Sequence, residues 1–186
     1  RLAANPLIRL VKVGGLNVRF LGMQLERPAL QDRRVREAVA RAVDRERLAA
    51  VLGRGAMLAA RGPLPPASLG YDSQLTQPTH DLRRARALLQ EAGVASRLTL
   101  RLLYNASLEL FSEVVQAVRS DLRKAGIGVD LVRTADWKTF HEERKKGDHD
   151  LYLYGWSVST PDPERFLFPL FQSASPDNFG HFANSR

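Results

Sequence analysis

The sequence predicts an α/β fold, a mixed sheet flanked by helices, on three observations. Strand-like and amphipathic helical runs alternate along the chain, which favours layered α/β architecture with at least some parallel strands and right-handed crossovers. The helical runs open on Asp and close on Gly, the caps expected of real helix ends. Finally, 186 residues with 44% hydrophobic content suffice for one core, and no internal repeat or low-complexity block interrupts the pattern.

Taken in order, "NVRFLGMQL" (17–25) reads as the first strand. Asp32 then caps a helix in which Val35, Ala38, Val39, Ala42 and Val43 recur at helical spacing. Asp44 restarts it with Leu48, Val51 and Leu52 facing inward, and Gly53 and Gly55 stop it. Residues 61–80, "RGPLPPASLGYDSQLTQPTH", form a long Pro/Gly-rich connection without periodicity, and long ordered loops of this kind usually serve function or wrap a surface. Asp81 caps a helix with Leu82, Ala85, Leu88, Leu89 and Ala92 on one face and Gly93 at its end.

Next come a strand over 98–104, a turn at Asn105–Ser107, and a helix carrying Leu108, Phe111, Val115, Val118 and Leu122 on one stripe. "IGVDLVRT" is a strand, "DWKTFHEERKKG" a helix opened by Asp136, and "DLYLYGW" a strand. After that strand, "GWSVSTPDPERF" joins strand end to helix start, with Asp162 as N-cap, Pro163 at the first helical position, and Pro169 breaking or kinking the helix. In open α/β sheets ligands collect beyond the carboxyl ends of strands, where loops converge and helix N-termini present free N–H groups. Ser157, Ser159 and Thr160 are therefore candidates for ligand hydrogen bonds, beside the alternative that they serve only as turn and cap residues, with Asp162 only a cap and Trp156 only core.

Composition excludes several classes. Without cysteine there are no disulfides and no thiolate chemistry. No apolar run of about 18 residues spans a bilayer, "RLAANPLIRL" has neither the apolar region nor the cleavage pattern of a signal peptide, and the missing initiator Met suggests a piece of a longer protein. The net charge of +8 raises nucleic acid or an anionic surface as partners, yet Arg is spread over several helices with acids between, and "EERKK" is short and half acidic. Gly155–Ser159 approaches a nucleophile elbow but lacks its second glycine. His80, His141, His149 and His181 lack zinc spacing and read as surface histidines near helix ends, and neither a Walker loop nor a dinucleotide fingerprint occurs. The chain reads as a binder and not an enzyme, with no cofactor; a hydrolase using Ser157 or Ser159 with a histidine, or a basic nucleic-acid module, stands as the alternative.

Six segments, "LERPALQDRRVREAVARAVDRERL", "GPLPPASLGY", "HDLRRARALLQEAG", "VVQAVRSDLRKAGIGVDL", "DWKTFHEERKKGDHDLYLYGW" and "PDPERFLFPLFQS", resemble in order those of the large extracytoplasmic solute-binding proteins of the peptide/nickel/glutathione class, solute-binding protein family 5. The resemblance implies one lobe, residues 1–186, of a two-lobed periplasmic-binding-protein-like (type II) fold that closes on its ligand by hinge motion. It implies as partners a small peptide or peptide-like solute, the first lobe of the same chain, and an ABC permease in the membrane, with a monomeric state, no nucleic acid and a periplasmic or extracytoplasmic address. Facing the interlobe cleft it implies the loop with Trp156, Ser157, Ser159, Thr160 and Asp162, the turn with Tyr104 and Asn105, and the region of Asn178. Trp156 is expected to expose part of its ring there. Peptide-binding relatives carry an Asp three residues after the Trp of the "GW" pair, where this chain has Ser159; the hydroxyl set is closer to glutathione-binding members. Gln24 stands where relatives usually have Asn, and the turn "YNASLEL" carries no basic side chain for a carboxylate clamp.

Overall fold

A computed structural model describes residues 9, 13–53, 55–94 and 98–184; most of the N-terminal "RLAANPLIRL" lies outside them. Four strands, β1 (Asn17–Met23), β2 (Thr99–Asn105), β3 (Gly128–Thr134) and β4 (Leu151–Ser157), form one sheet in the order β1-β4-β2-β3. β2 pairs in parallel with both β3 and β4, whereas β1 pairs antiparallel with β4, so the sheet is mixed as expected. Pairing of β2 with β4 covers only Leu102–Leu103 against Leu151–Tyr152, and the rest of β4 continues alongside β1 alone. The carboxyl ends of β2 and β4 therefore part from one another.

Alternation along the strands sorts side chains onto two faces. Leu100, Leu102, Tyr104, Leu151 and Leu153 join the larger core with α2 (Arg33–Ala42), α4 (Leu82–Glu91) and α5 (Glu109–Lys124). Each of these helices presents an apolar stripe: Val35, Ala38, Val39 and Ala42; Ala85, Leu88 and Leu89; Phe111, Val115, Val118 and Leu122. On the opposite face Leu103 and Tyr152 pack with Phe140 of α6 (Trp137–Lys146) and with Phe179 from the C-terminal loop. Asp32, Asp44, Asp81 and Asp136 accept backbone N–H groups at the starts of α2, α3 (Arg45–Leu52), α4 and α6, satisfying donors that a helix start leaves free. Gly93, Gly126 and Gly147 follow α4, α5 and α6 with positive φ, the conformation that lets the chain reverse without a Cβ penalty.

Five local expectations change. A short helix, α1 (Pro28–Gln31), precedes α2 and buries Leu30, although its four residues are too few to show a period. α3 buries no residue fully and Val51 is 61% exposed, because α3 lies at the rim of the lobe and is tied down by polar contacts. Leu108 is the extended residue before α5 and points out of the stripe. The final helix, α7 (Glu164–Phe171), begins after Pro163 in place of Asp162 and runs through Pro169. Asp162 still accepts the Glu164 N–H at 2.9 Å, so it closes the turn one residue earlier than an N-cap would. His149, read as a surface residue, is buried at 2% exposure against Tyr152.

Candidate functional site

The carboxyl ends of the three parallel strands are Asn105, Thr134 and Ser157, and the chain leaves each toward a helix: α5, α6 and α7 in turn. Three strand-to-helix turns thus lie along one edge of the sheet, the place where open α/β sheets collect ligands.

The turn after β4 is the most polar and the least committed. Ser157, Ser159 and Thr160 are exposed, and their hydroxyls make no hydrogen bond within the described residues. The backbone that carries them is nevertheless held. Val158 N–H donates to Leu16 O at 3.0 Å, Leu69 N–H donates to Pro161 O at 2.8 Å, and Arg165 N–H donates to Asp162 O at 3.2 Å. Trp156 is partly exposed, and its Nε1 donates to Arg165 O at 2.8 Å, pinning the end of β4 to the first turn of α7. Its indole N–H is thereby used internally, and the free part of the residue is ring face.

At the end of β2, Asn105 is fully buried. Its Oδ1 accepts Ser107 N–H at 2.9 Å and shapes the turn, while its Nδ2 has no partner among the described residues. Tyr104, 5% exposed, belongs with its ring to the core under α5; what it contributes at the edge is its carbonyl, which accepts Thr134 Oγ1 at 3.1 Å.

Asn178 is not brought to this edge turn by side-chain contact. It is 6% exposed, its Nδ2 donates to Gln172 O and Phe182 O, and its Oδ1 accepts Phe182 N–H. The loop it closes seats Phe179 against Tyr152 and Tyr154, and Gly180 O accepts Leu25 N–H beyond the end of β1, beside the amino end of β4. Asn178 thus shapes the covering of the α6 face from the other end of β4.

The residue that sequence reading passed over is Trp137. It opens α6 one position after the capping Asp136, is 36% exposed, and sits 5.4 Å from the Tyr154 ring, 6.0 Å from Phe111 and 5.3 Å from Phe140. It therefore spans from the first turn of α5 to β4, with Leu108 at 41% exposure before α5. The signal was available, since "TADW" follows β3 as "VSTPD" follows β4, an acidic residue in each strand-to-helix turn.

Electrostatics on this side are those of an aromatic layer. Burial pushes the His141 imidazole down, with Arg144 adding to it, and pushes the Tyr154 phenol up. Burial also lowers Arg144, whose guanidinium lies 3.6 Å over the Phe179 ring. The Thr139 N–H holds the Asp136 carboxyl below the usual carboxylate range, so this acid is committed to its cap. Among the described residues no histidine hydrogen-bonds Ser157 or Ser159; His80 lies by Asp44, His181 by Glu26, and both nitrogens of His149 are buried without partners. A hydrolytic dyad needs its base within about 3.2 Å of the nucleophile, and no such pair occurs among the described residues. No group of three or more metal-ligating side chains occurs among the described residues.

The family model "Bacterial extracellular solute-binding proteins, family 5 Middle" matches residues 1–178. The chain is 28% identical to the dipeptide-binding protein of Escherichia coli (strain K12) over 190 residues, which is 98% of this chain and 35% of the relative. Its fold is similar to HbpA2 from Haemophilus parasuis, with a TM-score of 0.91 at 28% identity over 99% of this chain and 37% of that one. It is likewise similar to the dipeptide-binding protein from Pseudoalteromonas sp. SM9913 in complex with Met-Leu, with a TM-score of 0.84 at 30% identity over 98% of this chain and 37% of that one. The chain thus spans little more than a third of the length of these proteins. The match over nearly the whole sequence and the agreement of fold lead to one conclusion: this chain belongs to family 5 of the bacterial extracellular solute-binding proteins.

Proposed function

We propose that this chain is the ligand-holding lobe of an extracytoplasmic receptor that captures a short peptide or peptide-like solute, such as glutathione, for an ABC importer in the membrane. The observation that carries the reading is the turn after β4: three exposed, unengaged hydroxyls on a backbone held from both sides, at the carboxyl edge of three parallel strands. Hydroxyls can donate to carboxylates and accept from amines, which suits a ligand carrying both. The ring faces of Trp156 and Trp137 supply apolar surface. Asp162 acts through the turn it closes, and Tyr104 and Asn178 act by shaping the lobe.

A cleft needs two walls, since well-bound small ligands are covered over most of their surface. The second wall in this reading is the first lobe of the same polypeptide, and the receptor works as a monomer that meets its permease when closed. The deciding experiment is a thermal-shift screen of the full-length receptor against glutathione, di- to pentapeptides, oligosaccharides and nickel chelates. A ligand at a hundredfold excess over its Kd stabilises the bound state by about 2.7 kcal/mol, which a melting curve resolves. A shift with glutathione or short peptides supports the reading. A shift confined to sugars or nickel chelates would overturn it.

A further inference from the structure

The Pro/Gly-rich connection, which carries no helix or strand, reaches the hydroxyl turn at one point. Among the described residues, its backbone hydrogen bonds Ser68 N–H to Pro65 O, Tyr71 N–H to Ser68 O and Leu75 N–H to Asp72 O stay inside residues 61–80. Its far end is held by Arg45, which donates to Pro78 O and Gln77 Oε1, and the bond from Leu69 N–H to Pro161 O, at 2.8 Å, is the backbone–backbone bond that leaves the segment. Pro65 and Ser68 are buried beneath it, so the tight turn at 65–71 is seated on the lobe and is not a loose excursion. The segment before β1 meets the same place. A Cβ built on Gly14 would lie 3.6 Å from Ala67 Cβ, and Leu16 O accepts Val158 N–H. Two chain segments, 14–16 and 67–69, therefore meet each other and hold the turn at Val158 and Pro161, on either side of Ser159 and Thr160.

The chemistry of the turn explains why such a strut matters. Pro161 and Pro163 have no N–H, so the turn has few backbone groups with which to fix itself. Between Val158 and Asp162, the two residues whose hydroxyls face solvent have no backbone hydrogen bond of their own among the described residues. Their positions depend on the anchors on either side, Leu16 O before them and Leu69 N–H after them. The Leu69 side chain is 65% exposed, so what this residue contributes is its N–H and not its packing.

We propose that the 65–71 turn is a positioning strut for the hydroxyl turn, with Leu69 N–H as its working group, so that ligand selectivity is set in part from a segment outside the sheet. The proposal rests on the reading of the Ser157–Thr160 turn as the ligand site. It makes an unusual demand on mutagenesis. Leu69→Ala keeps the N–H and is silent, whereas Leu69→Pro removes it. Leucic acid incorporated at position 69, which replaces the amide by an ester without adding a ring, removes the same donor should the proline variant fail to fold.

The test uses the full-length receptor and two readouts: hydrogen exchange of the 157–164 backbone, and affinity for a fixed panel of di- to pentapeptides and glutathione. Loss of one hydrogen bond speeds exchange in this turn by roughly two- to tenfold in the proline and ester variants, with the wild-type rate kept in Leu69→Ala. Affinities fall by a similar factor and unequally across the panel, changing its rank order. Unchanged exchange in both donor-deleting variants overturns the strut. Faster exchange with every wild-type affinity preserved overturns the placement of the ligand at this turn and leaves the mechanical coupling standing.

Discussion

Asp121 is the clearest place to test how the lobe is held together. Its side chain is 2% exposed on α5 and accepts from Arg47 Nη2 at 2.7 Å, Lys124 Nζ at 3.1 Å and the Asp44 backbone N–H at 3.3 Å. Two of these donors belong to α3 or its cap, and α3 buries no residue fully, so this carboxylate fastens α3 to α5 beside the packing of Leu48 on the core. The Arg47 and Lys124 side chains are 41% and 54% exposed, and each such pair is discounted for solvent to about 0.2–1 kcal/mol. The backbone N–H to a buried carboxylate contributes roughly 1.5–3 kcal/mol. Asp121→Ala therefore costs about 2–5 kcal/mol, and Asp121→Asn, which keeps an acceptor for Asp44 N–H, costs roughly half that.

The pH dependence gives the argument a second handle. Burial raises the Asp121 pKa, but hydrogen bonds from Lys124, Asp44 N–H and Arg47 outweigh it, and the net direction is down from the ordinary carboxylate value. A depressed carboxyl stabilises the fold above its unfolded pKa of about 3.9 and loses that contribution as pH falls through the folded value. The gap between wild type and Asp121→Ala should thus be widest near neutral pH and close below about pH 4. Urea unfolding followed by the fluorescence of Trp137 and Trp156 measures it, with the slope unchanged between proteins. A difference under about 0.5 kcal/mol at neutral pH, or one that persists undiminished into acid, would refute the assignment.

Three further outcomes are expected. Ser159→Asp in the full-length receptor raises affinity for peptides with a free amino terminus roughly ten- to a hundredfold, as a charged hydrogen bond of about 1.5–3 kcal/mol requires; no gain across a peptide panel by calorimetry means the position does not meet the ligand's amine. Burial pushes the His149 imidazole down to about 4, so the folded state resists protonation; stability is whole above the unfolded pKa of about 6.5, declines as pH falls from there, and levels below about 4, a loss on the order of 3 kcal/mol that His149→Leu abolishes in acid unfolding curves. Phe140→Ala removes a fully buried ring that stacks on Tyr154 and supports Trp137, and costs about 3–5 kcal/mol with loss of the near-ultraviolet dichroism of the aromatic layer; retention of both would show that Phe179 and Tyr152 close the gap.

Much of this architecture was legible in the chain because its signals are local. An Asp accepts an N–H two or three residues on, and a stripe such as Phe111, Val115, Val118 and Leu122 reports its helix through spacing alone. The six family segments located the lobe, and Ser157, Ser159 and Thr160 were legible as a turn between strand and helix. What only the tertiary structure decided are relations between distant residues. Tyr104 and Asn105 are neighbours in sequence, yet one ring is core and the other amide is a buried donor without a partner, because strand alternation sends them to opposite faces. Val51 fits a helical stripe and is exposed, because it faces away from the core against which Leu48 packs. Asn178 closes its own loop, Trp137 spans α5 to β4, and Leu69 reaches Pro161 across more than ninety intervening positions. Such contacts leave no periodic trace, since they depend on how separate segments are brought together by a shared core, and spacing along one chain carries no information about that.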